Sequence, residues 1–259
     1  MNILDKFKVE RQSAVAEARK IVPLERLCEK AKGRQHHSFK LALGQGDGTR
    51  VIAEMKKASP SAGLLQPDYD PAAIARGYLA NGAVAISVLT EPLHFLGKEE
   101  HLHLVRNTVE LPILRKDFMC DVYQIAEAAA WGADVILLIA AMLDDAELKE
   151  LYASALEFGL DVLAEVHTRE ELERVLPLEE AVVGVNSRNL KTLKTDLKTA
   201  HELARYIPAA RISVAESGIS SRAEIDALEK AGYDGFLIGE ALVGGDDPGG
   251  RLAELAGRG

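Results

Sequence analysis

The chain has 259 residues, 47% of them hydrophobic and 27% charged, enough apolar material for a large core and no signature of disorder. Its formal charge of -9 and the lack of any dense Lys/Arg run exclude a general nucleic-acid face, because phosphate backbones are met by clustered cations. No apolar run approaches the roughly 20 residues of a membrane span, and the opening segment is amphipathic and charged rather than a signal peptide, so a cytoplasmic protein is expected.

Residues 1–49 differ from the rest. Charged helices are predicted from about Ile3 to Lys20 and from about Leu24 to Lys32, followed by His36, His37, Ser38, Phe39 and Lys40. From Arg50 onward apolar strand candidates alternate with amphipathic segments, with strands placed near 50–55, 83–88, 112–116, 134–139, 161–166, 181–186, 211–215 and 235–239. Between them apolar residues recur at helical spacing, as in Ala72, Ala75, Tyr78 and Leu79, or Ala223, Ile225, Leu228 and Ala231. Gly82, Gly132, Gly159 and Gly232 stand just past these helices, where a left-handed cap disfavours a Cβ. Eight βα units in a chain close to the roughly 250 residues typical of the fold predict a single (β/α)8 TIM barrel with an N-terminal helical extension.

Side chains two apart on a strand share a face, so Glu54 and Lys56 are expected to point together into the barrel as an ion pair. Lys116, Glu165, Asn186 and Glu216 end other strands in the same phase, and barrel enzymes keep their sites at that rim. After the seventh and eighth strands come Glu216-Ser217-Gly218-Ile219 and Ile238-Gly239-Glu240-Ala241, turns whose backbone N–H groups suit a phosphate. Each glycine alone is an ordinary turn; the pair at this position favours function. Cys28 and Cys120 have no paired spacing and read as plain thiols, and no metal set is expected. His36, His37, His101, His103 and His201 read as surface residues, and His167 as a satisfied neighbour of Glu165.

Six segments in order, Ile52-Ala53-Glu54-Met55-Lys56-Lys57-Ala58-Ser59-Pro60-Ser61, Ser87-Val88-Leu89-Thr90, Leu114-Arg115-Lys116-Asp117-Phe118, Leu163-Ala164-Glu165-Val166-His167, Val185-Asn186-Ser187-Arg188-Asn189-Leu190 and Ala215-Glu216-Ser217-Gly218-Ile219, carry a resemblance. The chain resembles the indole-3-glycerol-phosphate synthase family of tryptophan biosynthesis from about Ile3 to Leu255. That resemblance implies a carboxy-lyase converting 1-(2-carboxyphenylamino)-1-deoxyribulose 5-phosphate into indole-3-glycerol phosphate, carbon dioxide and water, without cofactor or metal.

The resemblance further implies Lys116 as general acid at the ketone, with Glu165, Lys56 and Glu54 sharing the later proton transfers. Asn186 and Ser217 would orient the substrate. Phe95, Phe118, Leu137 and Leu190 would form the apolar slot, although core packing is an equal reading of Leu137. Arg188 would pair either with the substrate carboxylate or with Glu216. Ser59, Glu216, Gly218, Gly239 and Glu240 complete the binding set, Glu240 through its backbone because some members carry a hydroxyl residue there. Leu96 and Lys98 also depart from the family pattern. The N-terminal helices are expected to close the pocket with Phe39 or Lys40. The expected partner is a phosphorylated small molecule, the expected state a monomer or weak homodimer, with association with other tryptophan-pathway enzymes open. A Schiff-base sugar-phosphate aldolase and a non-catalytic phosphate-binding barrel are the competing readings.

Overall fold

Eight parallel strands close into a barrel: β1 Val51–Met55, β2 Ala85–Leu89, β3 Ile113–Lys116, β4 Val135–Ile139, β5 Asp161–Val166, β6 Val182–Asn186, β7 Ser213–Glu216 and β8 Gly235–Ile238, with β8 pairing back onto β1. The computed structural model describes residues 3–45, 48–60, 63–189, 192, 194–243 and 247–258. All eight expected strands are present, with no end shifted by more than two residues. Each is almost wholly buried because helices cover its outer face and layered side chains fill the inside.

The covering helices begin where the local chemistry caps them. Asp70 accepts from the backbone N–H groups of Ala72 and Ala73, and Asp144 and Ser221 form reciprocal capping boxes with Glu147 and Glu224. The four expected cap glycines all adopt positive φ, from 63° at Gly159 to 106° at Gly232. Among the described residues, no helix is long and apolar enough to cross a membrane.

The N-terminal extension covers both mouths of the barrel. Helix Ile3–Ile21 crosses the C-terminal mouth and is held there by charge: Lys8 to Glu147 at 2.6 Å, Glu10 to His94 at 2.8 Å and Arg11 to Asp117 at 3.1 Å. The chain then runs through Leu24–Ala31 to a helix absent from the sequence-based expectation, Phe39–Gly44, N-capped by Ser38. Phe39 and Leu43 are buried beneath the opposite mouth. The Phe39 N–H donates to Asp161 at 2.7 Å, a Cβ on Gly235 would lie 2.6 Å from Leu43, and Lys40 pairs with Glu180 ahead of β6. Phe39 and Lys40 therefore plug the floor and do not form the lid; Ile3, Leu4 and Phe7 take that place.

The floor is organised by Asp134, which is fully buried just before β4. It accepts from the His37 N–H at 2.9 Å, the Ile113 N–H at 3.0 Å and Arg106 at 2.7 Å. His36 lies 3.6 Å from Asp134 and 3.5 Å from Asp161, so His36 and His37 fasten the extension to the barrel rather than standing idle on the surface. Hydrogen bonds to Asp134 and Asp161 push the His36 pKa up to about 9 against the opposing effect of burial. Because the folded value lies above the ordinary 6.5, the stabilisation is complete below pH 6.5 and is lost as pH rises through 9. Thermal midpoints of wild type and His36→Gln are therefore expected to differ most below pH 6.5 and to converge above pH 9, with a gap of about 1 kcal/mol or less because the imidazole is partly exposed.

Candidate active site

Strand register places the charged side chains at one level. Lys116 stands beside Leu89 on β2, Glu165 is flanked by Ile139 and Gly184, and Glu216 pairs with Asn186. Glu54 and Lys56 project from β1 and the residue after it, and Lys56 Nζ donates to Glu54 Oε1 at 2.9 Å as the two-residue spacing predicts. Lys116 Nζ sits 3.5 Å from both Glu165 Oε2 and Glu216 Oε2. All five are nearly withdrawn from water.

Burying two carboxylates at this level depends on two strand-end glycines. A Cβ on Gly184 would lie 2.2 Å from Glu216 Oε1, and one on Gly239 would lie 2.3 Å from Glu54 Oε1. Any larger residue would displace an acid. Along the chain Gly239 belongs to a phosphate-type turn and Gly184 carries no signal; their spatial role becomes visible once β6 meets β7 and β8 meets β1.

Three carboxylates and two ammonium groups share this mouth, which determines where protons reside. Burial disfavours charge on Lys116, but Glu165, Glu216 and Glu54 outweigh it and hold the ammonium above its ordinary pKa. Burial likewise opposes ionisation of Glu54, and the adjacent Lys56, Lys116 and Arg188 overcome it, drawing its pKa down. Glu216 goes the other way. Burial pushes it up to about 8; Lys116 opposes this, while Glu165 and Glu54 add to it. Neither Glu216 oxygen has a hydrogen-bond partner among the described residues, in keeping with its being the acid that stays protonated.

Above the charges lies an apolar slot. A cavity of about 280 Å³ is walled by Phe95, Phe118, Leu137 and Ile139, with Ile3, Leu4 and Phe7 as a roof. Phe118 is at the rim, as expected, and stacks on Phe7 with centroids 4.5 Å apart and on Phe95 at 6.3 Å. Glu54, Lys56, Ser59, Lys116, Glu165, Asn186, Arg188, Ser217 and Glu240 face the same space, and a contiguous recess adds Glu216, Gly218 and Gly239. Leu190 lies outside the described residues. Every other catalytic or substrate-binding residue that the resemblance implies thus lies at one mouth.

Arg188 forms an ion pair with Glu240, exposed at the rim, at 2.7 Å, while Glu216 points inward to Lys116. Asn186 is oriented by accepting the Arg188 N–H at 2.9 Å. Ser217 holds a positive φ of 64°, a strained conformation for a residue with a Cβ, which turns the chain after β7 toward the recess. Ser59 lies on a two-residue ribbon pairing Ala58–Ser59 with Gly63–Leu64.

Two contributors had no signal along the chain. Phe7 lies over a hundred positions from Phe118 and looks like any amphipathic helix residue. Buried Glu91 accepts the N–H groups of Leu93, His94 and Phe95 at 2.9, 2.7 and 3.1 Å, fixing the loop that carries Phe95. Behind the site, fully buried Arg115 bonds Asp117 at 3.2 Å and Glu127 at 3.0 Å and stacks on Trp131 at 3.9 Å, bracing the segment that carries Lys116. Among the described residues, no group of three or more His, Cys, Asp or Glu side chains is arranged to hold a metal ion.

The indole-3-glycerol phosphate synthase model matches residues 4–255. The chain belongs to that family. It is 45% identical over 260 aligned positions to the indole-3-glycerol phosphate synthase of Burkholderia vietnamiensis, covering 98% of each chain, and 52% identical over 203 positions to that of Azospirillum brasilense, covering 78% of each. Membership makes it a carboxy-lyase of tryptophan biosynthesis. Structural likeness reaches further at the level of fold alone: 3-hexulose-6-phosphate synthase from Salmonella typhimurium superposes with a TM-score of 0.66 at 12% identity over 81% of this chain and 97% of its own. Thiamine phosphate pyrophosphorylase from Pyrococcus furiosus gives 0.60 at 17% identity over 84% and 96%.

Two outcomes follow from this geometry. Phe7→Ala removes the ring stacked on Phe118 and is expected to raise KM severalfold with a smaller effect on kcat, measured by steady-state kinetics. Glu216 is protonated in the folded chain and ionised in the unfolded chain between pH 4.5 and 8, so it draws stability down as pH rises through that window. Glu216→Gln should flatten that decline, and urea unfolding of both proteins at pH 5 and pH 9 checks it.

Proposed function

We propose that the barrel mouth closes the indole ring of 1-(2-carboxyphenylamino)-1-deoxyribulose 5-phosphate, releasing carbon dioxide and water to give indole-3-glycerol phosphate. The observation that carries this reading is Lys116, held protonated between the buried carboxyl groups of Glu165 and Glu216 and facing an apolar slot walled by aromatic rings. An ammonium so placed donates to the substrate ketone and makes it electrophilic toward the ring carbon bearing the carboxylate. The same electrostatics disfavour the aldolase reading, since a Schiff base needs a neutral amine and the surrounding acids keep Lys116 charged.

The aromatic half lies between Phe95, Phe118 and Leu137. The phosphate end is received by Ser59, Lys56 and the backbone around Ser217, Gly218, Gly239 and Glu240, with Arg188 at the rim for a substrate carboxylate. Loss of carbon dioxide restores the aromatic ring without an external electron sink. Dehydration then requires an acid for the departing hydroxyl and a base for the carbon proton of the new ring. Glu165 and Lys56 take these transfers, with Glu54 fixing Lys56 and Asn186 holding the hydroxyl in line.

Lys116→Ala is expected to lower the rate of indole formation, followed by fluorescence, by about a hundredfold or more, the contribution usual for a positioned acid. A chelator should leave the wild-type rate unchanged. Near wild-type turnover in the variant would end the assignment.

A further inference from the structure

The proposed reaction does not balance in protons within the active site. The substrate's carboxylate, ionised at neutral pH, leaves as neutral carbon dioxide, and its ketone oxygen leaves as water after gaining two protons. Only one proton is recovered, from the carbon of the new five-membered ring. Each turnover therefore draws one proton from water into a site roofed by the N-terminal helix.

A line of titratable groups leads into that site from the side. Lys116 Nζ is 3.5 Å from Glu165 Oε2; Glu165 Oε1 is 3.4 Å from His167 Nε2; His167 Nδ1 is 3.3 Å from Glu171 Oε2. His167 Nε2 is buried with no hydrogen-bond partner, although it faces Glu165. Glu171 is held in place by accepting the His167 N–H at 2.7 Å. His167 and Glu171 line a second cavity of about 600 Å³ with Thr168, Ser187, Lys194 and Asp196, a polar chamber that shares Asn186 and Arg188 with the substrate cavity.

We propose that His167, bridging Glu165 to Glu171, is the inlet through which the one proton consumed per turnover reaches Lys116 from the side chamber. This rests on the acid–base roles given above to Lys116 and Glu165. In the step itself the imidazolium, its Nδ1–H donated to the Glu171 carboxylate, passes its Nε2 proton to the Glu165 carboxylate, and the neutral ring takes a proton back at Nε2 from water of the side chamber, which leaves as hydroxide. Glu165 then gives its proton to the Lys116 amine, which restores the Glu165 carboxylate. The groups that set the charge on His167 are Glu165 on its own strand, Glu171 on the following helix and Glu216 on β7. They raise its pKa against burial and so favour the charged ring. His167 acts through Glu165 and is a positioning and relay residue.

The test uses the full chain with His167→Ala, Glu171→Gln and Glu165→Gln, measuring kcat and KM across pH 6 to 9 with and without added imidazole. His167→Ala is expected to lose about a hundredfold in kcat at alkaline pH, the low end of a proton-transfer contribution, with KM little changed. The loss should shrink toward pH 6, where water supplies protons more readily, and imidazole should restore rate by entering the vacated space. Glu171→Gln should show the same pH trend more weakly, and it carries the test alone should His167→Ala not fold. A wild-type pH profile in the His167 or Glu171 variant, or a uniform loss that imidazole does not rescue, overturns the inlet. If Glu165→Gln is inactive while those profiles are normal, only the inlet falls; a fully active Glu165→Gln removes the underlying assignment as well.

Discussion

Two lysine ammonium groups and three glutamate carboxyls held in one nearly dry mouth form the constraint on which the structure depends. Removing one partner of such a buried set leaves a charge unpaired at a cost of about 3–5 kcal/mol, so the positions are interdependent. The odd acid is accommodated by staying protonated, and Glu216, with neither oxygen hydrogen-bonded, is the one whose surroundings demand it. Lys116 is thereby kept charged without being locked into a short ion pair, since both of its acidic neighbours lie at 3.5 Å. A loosely held, fully protonated ammonium is poised to move toward a ligand oxygen.

The rest of the molecule serves that cluster. Gly184 and Gly239 supply the volume two of the acids occupy, and the Arg115–Asp117–Glu127 network braces the segment bearing Lys116 from behind. Arg11 joins this network from the lid helix through Asp117, the residue next to Lys116, so the roof and the acid share one electrostatic support. At the other mouth Asp134 and Phe39 seal the floor.

Much of this was legible in the chain because the relevant regularities are short-range. Strand phase placed Glu54 with Lys56, and alternation with helices placed Lys116, Glu165, Asn186 and Glu216 at one rim. Cap glycines marked where helices end. What stayed hidden depends on contacts across long separations. Phe39 and Lys40 precede β1 as an apolar stretch, and nothing local distinguishes floor from roof; Asp161 and Glu180, more than a hundred residues on, decide it. Phe7 gains meaning only from Phe118, and Arg188 meets Glu240 from the far side of β7 while Glu216 turns inward.

The lid helix is fastened to the barrel by Lys8–Glu147, Glu10–His94 and Arg11–Asp117, contacts reaching the loops after β2 and β3 and the helix after β4. Bonds of this kind weaken with dissolved ions far more than the ring stacking beneath them does. Entry and departure of a bulky anion past this roof would therefore quicken as ionic strength rises, even as its electrostatic capture at the mouth slackens, giving the enzyme opposite salt responses in passage and in grip.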